Sequence, residues 1–66
     1  MKNNIKIQRA IKNLTQEDLA NKIGVSRQTI NSIETNRYIP STLLAMKISK
    51  VFEKNVNDIF ELEEND

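Results

Sequence analysis

Apolar residues recur along the chain in short groups whose spacing matches one face of a helix. Leu44, Ala45, Ile48 and Phe52 stand at i, i+1, i+4 and i+8 and predict a helix within "STLLAMKISKVF". Leu19, Ala20 and Ile23 predict an earlier one, and Val25, Ile30 and Ile33 predict a helix that runs to about Thr35. Towards the front, Ile7, Ala10, Ile11 and Leu14 predict a helix of two to three turns. Ile59 and Phe60 belong to one last short turn.

Polar residues punctuate these groups. Thr15 followed by Asp18 has the spacing of a capping box, with Asp in place of the usual Glu or Gln. Gly24, the one glycine, stands where a helix ends in a residue of positive φ. Ser26 caps the next helix, Pro40–Ser41 sets the start of the fourth, and Asn57 is expected to cap the last. Five helices result, several of them too short to persist alone, so tertiary packing has to hold them. The fold class is therefore all-α. "MKNN" and "FELEE" alternate weakly and can pair as two short terminal strands, which are marginal unless they pack on the helices.

Length then bounds the answer: 66 residues make one domain, residues 1–66, near the lower limit for a core without staples. There is no cysteine and no histidine, which removes disulfides and a structural Cys/His metal site. No metal and no cofactor are expected. The N-terminus lacks a long apolar run, so neither a signal peptide nor a membrane span is expected, and the cytoplasm is the simplest location. The net charge of +1 conceals a division. Residues 1–54 hold all ten Lys and Arg against four acids, a net of +6, and residues 55–66 carry five acids and no base. A basic working face with an acidic end kept away from it explains the division. An ordinary solvated surface with a frayed tail explains it as well.

Residues 16–35 are more specific. A small residue at Ala20, a glycine turn at Gly24, then Ile30 and Ile33 pointing back is the packing code of a helix-turn-helix. A generic helical hairpin shares part of that code but has no need of an outer face rich in hydrogen-bond donors. Here that face carries Arg27, Gln28 and Asn31, with Asn36 and Arg37 beyond it.

"LTQEDLANKIGVSRQTINSIETNRYIPS" resembles the Cro/CI (XRE) family of helix-turn-helix repressors, and the likeness extends over roughly residues 5 to 60. "TQEDLA", "GVSRQTI", "IE" and "PS" stand in family order, in the manner of small stand-alone bacterial regulators without a ligand domain. The resemblance implies a five-helix lambda-repressor-like domain whose second motif helix enters the DNA major groove. It implies base contacts from Arg27, Gln28 and Asn31, with Thr29 and Ser32 beside them. Arg suits guanine, and Gln or Asn can pair bidentately with adenine. It implies phosphate contacts from Gln16, Ser26, Asn36, Arg37 and Tyr38, although Tyr38 can equally pack as a lid on the core. Lys12 and Lys22 are weaker candidates. Arg9 and Glu34 match positions of a partly buried ion pair that joins the first helix to the recognition helix.

Four positions depart from the family pattern. Gln8 stands where an apolar residue is usual, Ile7 and Ile11 where polar residues are frequent, and Thr42 where leucine is common. The first helix is then either rotated, with Ile7 and Ile11 facing a partner, or packed plainly on the core.

One recognition helix reads few base pairs, so the resemblance also implies a homodimer on double-stranded DNA with half-sites about one turn apart. Val56, Ile59, Phe60 and Leu62, together with Ile39, are the candidate interface; the alternative is that they close the monomer core. The function expected is sequence-specific transcriptional regulation, as a repressor. A protein-interaction module of the same fold, such as the antitoxin of a toxin pair, is the competing reading and would have an unknown protein partner. An enzyme is not expected, for want of histidine, cysteine or a phosphate-cradling glycine loop.

Overall fold

The computed structural model describes all residues from Met1 to Asp66. Five helices follow in order: α1 (Ile5–Lys12), α2 (Gln16–Ile23), α3 (Arg27–Glu34), α4 (Thr42–Phe52) and α5 (Val56–Ile59). Strands β1 (Lys2–Asn3) and β2 (Phe60–Glu61) pair antiparallel, with Lys2 opposite Glu61 and Asn3 opposite Phe60.

Local chemistry sets the helix boundaries. Thr15 Oγ1 accepts from the Asp18 backbone N–H at 3.0 Å, and Asp18 Oδ2 accepts from the Thr15 N–H at 2.9 Å, so α2 opens on a complete capping box. Ser26 and Ser41 cap α3 and α4, each accepting from the N–H three residues on at 3.2 Å. Gly24 closes α2 at φ 74°, and Asn13 and Asn36 adopt the same left-handed region at φ 60° and 62°. The cap of α5 is Asn55, not Asn57. Asn57 lies inside the helix, because the turn must begin at Val56 to carry Ile59 into the core. Phe60 then leaves the helix with extended backbone and pairs with Asn3.

Ten apolar residues form one buried cluster: Ile5, Leu19, Ala20, Ile23, Ile30, Ile33, Ile48, Phe52, Ile59 and Phe60. Leu14, Val25, Leu44, Ala45 and Val56 pack around it, half-buried. Ala20 is 1% exposed where α2 meets α3. A side chain that small lets the two helices cross closely, which fixes the angle at which α3 projects.

Burial decides between the alternatives left open at both ends of the chain. Ile7 and Ile11 do not face the core; they are 62% and 69% exposed, and Ala10 is exposed with them. The inward face of α1 is Ile5 and Gln8, with Arg9 beside them half-buried. At about 100° per residue, Ile7 and Ile11 fall on the opposite side from Ile5. Gln8 buries its stem, and its amide retains access to solvent, since Asn4 Oδ1 is the one buried side-chain polar atom without a partner. At the other end, Ile59 and Phe60, candidates for a dimer interface, lie inside the monomer at 2% and 7% exposure. So small a chain needs both to close its core. Leu62 remains 77% exposed. No helix is long and apolar enough to cross a membrane.

Gly24 makes a clean test of the turn. A Cβ built there meets nothing within 4 Å, so replacement acts through the backbone alone. Gly24→Ala should lower stability by about 1–2 kcal/mol in urea melts, and Gly24→Asn by less. A second test concerns acid. The Thr15 N–H, then the Thr15 hydroxyl, hold the Asp18 carboxyl below its ordinary pKa. That contribution is fully present above the ordinary carboxylate range and is lost as pH falls through the lowered value. Wild type should therefore exceed Asp18→Asn in melting temperature at neutral pH, and the gap should close as the solution is acidified below that range.

Candidate nucleic-acid interface

The exposed surface of α3 follows from its pattern. Ile30 and Ile33 are buried, which turns Arg27 and Gln28 to solvent and leaves Asn31 and Ser32 half-buried along the same outer side. Thr29 is half-buried too. Its hydroxyl lies 2.9 Å from that of Ser26, so these two side chains serve the helix start. Two open grooves flank the helix. One is lined by Ser26, Gln28, Thr29, Ser32 and Tyr38. The other runs past Lys6, Arg9, Gln16, Asn31, Glu34 and Thr35.

Beneath the second groove sits a polar network. Arg9 Nε and Nη2 donate to Glu34 Oε2 and Oε1 at 2.7 and 3.0 Å, and Arg9 Nη1 donates to the Leu14 carbonyl at 3.0 Å. The side chains are only 14% and 7% exposed. The hydrogen bond from Arg9 to Glu34 holds the guanidinium above its ordinary pKa against the cost of burial. Gln16 joins the network from the start of α2. Its Nε2 donates to Asn31 Oδ1 at 3.2 Å and to Glu34 Oε1 at 3.4 Å, and its Oε1 accepts from Arg27 Nη1 at 3.4 Å. The network therefore brings together Arg27 and Asn31, both base-contact candidates, with Gln16, a phosphate candidate, and with Arg9 and Glu34.

The Gln16 side chain is thus already engaged, and the donors left for a phosphate at that helix start are backbone N–H groups. Of the other phosphate candidates, Ser26 caps the start of α3, and the remaining three gather beyond its C-terminal end. Asn36 Oδ1 accepts from Asn3 Nδ2 at 3.2 Å, and Arg37 is exposed with its Nε 3.3 Å from Thr35 Oγ1. Tyr38, 45% exposed, borders the Gln28 groove on one side and a small cleft with Ile33 and Phe60 on the other. It both covers the core edge and presents itself to the groove.

Sequence reasoning missed Asn3 and Lys6. Asn3 Nδ2 also donates to the Ile33 carbonyl at 3.0 Å, tying β1 to the end of α3. Nothing local in "MKNN" signals a contact with a residue 30 positions away. Lys6 borders the groove beside Asn31, and its basic charge was a usable signal once α1 is turned correctly. No acidic side chains gather closely enough to hold a metal ion.

The sequence profile described as helix-turn-helix matches residues 5–59. The chain belongs to the helix-turn-helix family. Among helix-turn-helix proteins it is similar to an uncharacterized HTH-type transcriptional regulator of Methanocaldococcus jannaschii, 56% identical over 66 residues and covering all of both chains. It is 48% identical over 64 residues to the uncharacterized HTH-type transcriptional regulator YgzD of Bacillus subtilis, covering 97% of each. The solution structure of the SOS-response transcriptional repressor LexA from Eubacterium rectale superposes with a TM-score of 0.80 at 28% identity, over 96% of this chain and 67% of that one. The helix-turn-helix family is one of DNA-binding transcriptional regulators, not of enzymes.

The ion pair beneath the interface can be tested directly. Arg9→Met leaves the Glu34 carboxylate buried without its cation and should cost about 3–5 kcal/mol in chemical denaturation. Arg9→Met combined with Glu34→Met should recover most of that loss, because no unpaired charge then remains.

Proposed function

We propose that the protein is a transcriptional repressor that binds an inverted-repeat operator as a homodimer in the cytoplasm, with α3 in the major groove of each half-site. The observation that carries this reading is the outer side of α3, where Arg27, Gln28 and Asn31 present donors while the apolar residues of the helix are hidden. Lys6 borders that side and Arg37 stands exposed beyond the end of α3, while the acid in the groove, Glu34, is neutralised by Arg9. Arg27 and Gln28 reach base edges, with Asn31 third and Thr29 and Ser32 beside them. Asn36, Arg37, Tyr38 and the helix starts at Gln16 and Ser26 hold the phosphate backbone. Repression is supported by likeness to LexA of Eubacterium rectale, an SOS-response transcriptional repressor.

Dimerisation is supported by exposed apolar surface beside the recognition unit. Ile39, Leu43 and Met46 are 65%, 62% and 59% exposed, and Ile39 and Met46 border an apolar groove that includes Pro40, Ala45 and Val56. The interface is thus moved from Ile59 and Phe60 to this surface, with Val56 and Leu62 retained. A second reading, as a protein-interaction module, has the exposed pair Ile7 and Ile11 in its favour.

Selection of bound sequences from a random duplex pool at near-physiological salt decides between the two. A regulator enriches an inverted repeat with half-sites about one helical turn apart. Weak, salt-sensitive binding without enrichment moves the assignment to a protein partner. Within an enriched motif, Arg27→Ala or Gln28→Ala should each cost about 1–3 kcal/mol and relax particular bases. Arg37→Ala should weaken all sequences alike and reduce the salt slope by about 1. Met46→Glu should shift the chain towards monomer in sedimentation and weaken operator binding while the helical circular dichroism is unchanged.

A further inference from the structure

Half of the Asn31 amide is already committed within the protein. Its Oδ1 accepts from Gln16 Nε2 at 3.2 Å. The same Gln16 nitrogen donates to Glu34 Oε1 at 3.4 Å, and Gln16 Oε1 accepts from Arg27 Nη1 at 3.4 Å. The ends of this chain dictate the direction of every bond. A guanidinium only donates, and a carboxylate only accepts. Turned over, the Gln16 amide would set its oxygen against the Glu34 carboxylate and its NH2 against the Arg27 guanidinium. Glu34 cannot swing aside, because Arg9 grips both of its oxygens. With Gln16 fixed, a turned Asn31 would set NH2 against NH2. The Asn31 oxygen therefore faces inward and its amide hydrogens face outward. Asn4 Oδ1 is the one buried side-chain polar atom lacking a partner, so Asn31 Nδ2 retains its access to solvent.

We infer that Asn31 reads DNA as a donor only and selects guanine over adenine. Guanine offers N7 and O6 as adjacent acceptors on its major-groove edge, which suits one outward NH2 group. Adenine sets a donor beside its acceptor and needs both halves of an amide, and here the oxygen half is not available. Gln28 is the internal contrast. It is exposed, and the side-chain hydrogen bonds around α3 do not include it, so its amide turns freely and suits adenine. Gln16 is then a positioning residue that sets the polarity of a neighbouring reader. This assignment rests on the DNA-binding reading above and names the base that one of its side chains recognises.

The test is duplex selection with the full chain as wild type, Asn31→Ala and Gln16→Ala, together with side-chain amide hydrogen exchange by NMR on the free wild-type protein. The wild-type motif should contain a column in which guanine exceeds adenine about tenfold or more. Asn31→Ala should flatten that column. Gln16→Ala frees the Asn31 amide and should admit adenine there to within about threefold of guanine, with the Gln28-dependent column unchanged. In the free protein, the Gln16 amide hydrogens should exchange more slowly than those of Asn31, a comparison that needs no variant to fold. The inference is overturned if the column that responds to Asn31→Ala holds adenine or cytosine, or if Gln16→Ala weakens binding with every column intact. Slower exchange at Asn31 than at Gln16 overturns it too. An enriched motif that ignores Asn31→Ala refutes this inference and leaves the DNA-binding reading standing, whereas no enrichment by wild type removes both.

Discussion

A carboxylate at the last position of α3 governs the arrangement of everything around the recognition helix. The C-terminal end of a helix is the wrong end for an anion, because the backbone carbonyls there are already electronegative. Glu34 is stable at that place only because Arg9 grips both of its oxygens and Gln16 adds a third donor. α1, α2 and α3 are thereby joined through side chains as well as through their shared core. The same contacts keep the acid from repelling a polyanion, since its charge is neutralised and largely hidden at 7% exposure.

Short helices make such joints necessary. α1, α2 and α3 have eight residues each, and α5 has four. None would hold its shape in water by propensity. Side-chain caps at Thr15, Ser26 and Ser41 satisfy the helix starts, and one cluster of ten apolar residues supplies the burial that ordering requires. Precision at the exposed side of α3 then comes from the polar network, since the apolar contacts of Ile30 and Ile33 orient the helix but not its outer side chains.

The legibility of the sequence follows from the range of each interaction. Caps and stripes act over three or four residues, so Thr15–Asp18, Gly24, Ser26 and the α4 stripe can be read directly. The pairing of "MKNN" with "FELEE" also shows in their weak alternation. What α1 hides cannot be read from its own residues. Ile7 and Ile11 look like a core stripe, and Gln8 does not, yet the need for Arg9 to reach Glu34 turns Ile5 and Gln8 inward. Ile59 and Phe60 read equally well as surface or core until the volume to be filled is known. In the candidate site, the residue types at Arg27, Gln28 and Asn31 are legible, but their coupling through Gln16 is not, because it needs the angle between α2 and α3.

The pairing of Asn3 with Phe60 has a consequence for how the molecule is made. A strand that emerges among the first residues has its partner among the last, and Asn3 meanwhile anchors the carbonyl of Ile33 and the side chain of Asn36. During synthesis the recognition helix can form and pack on α2 long before that clasp has anything to close on. The seam between β1 and β2 has to be completed after Phe60 is added, and closing so long a loop carries an entropic cost that the local helix contacts do not. The C-terminal end of α3 is therefore assembled early and braced late.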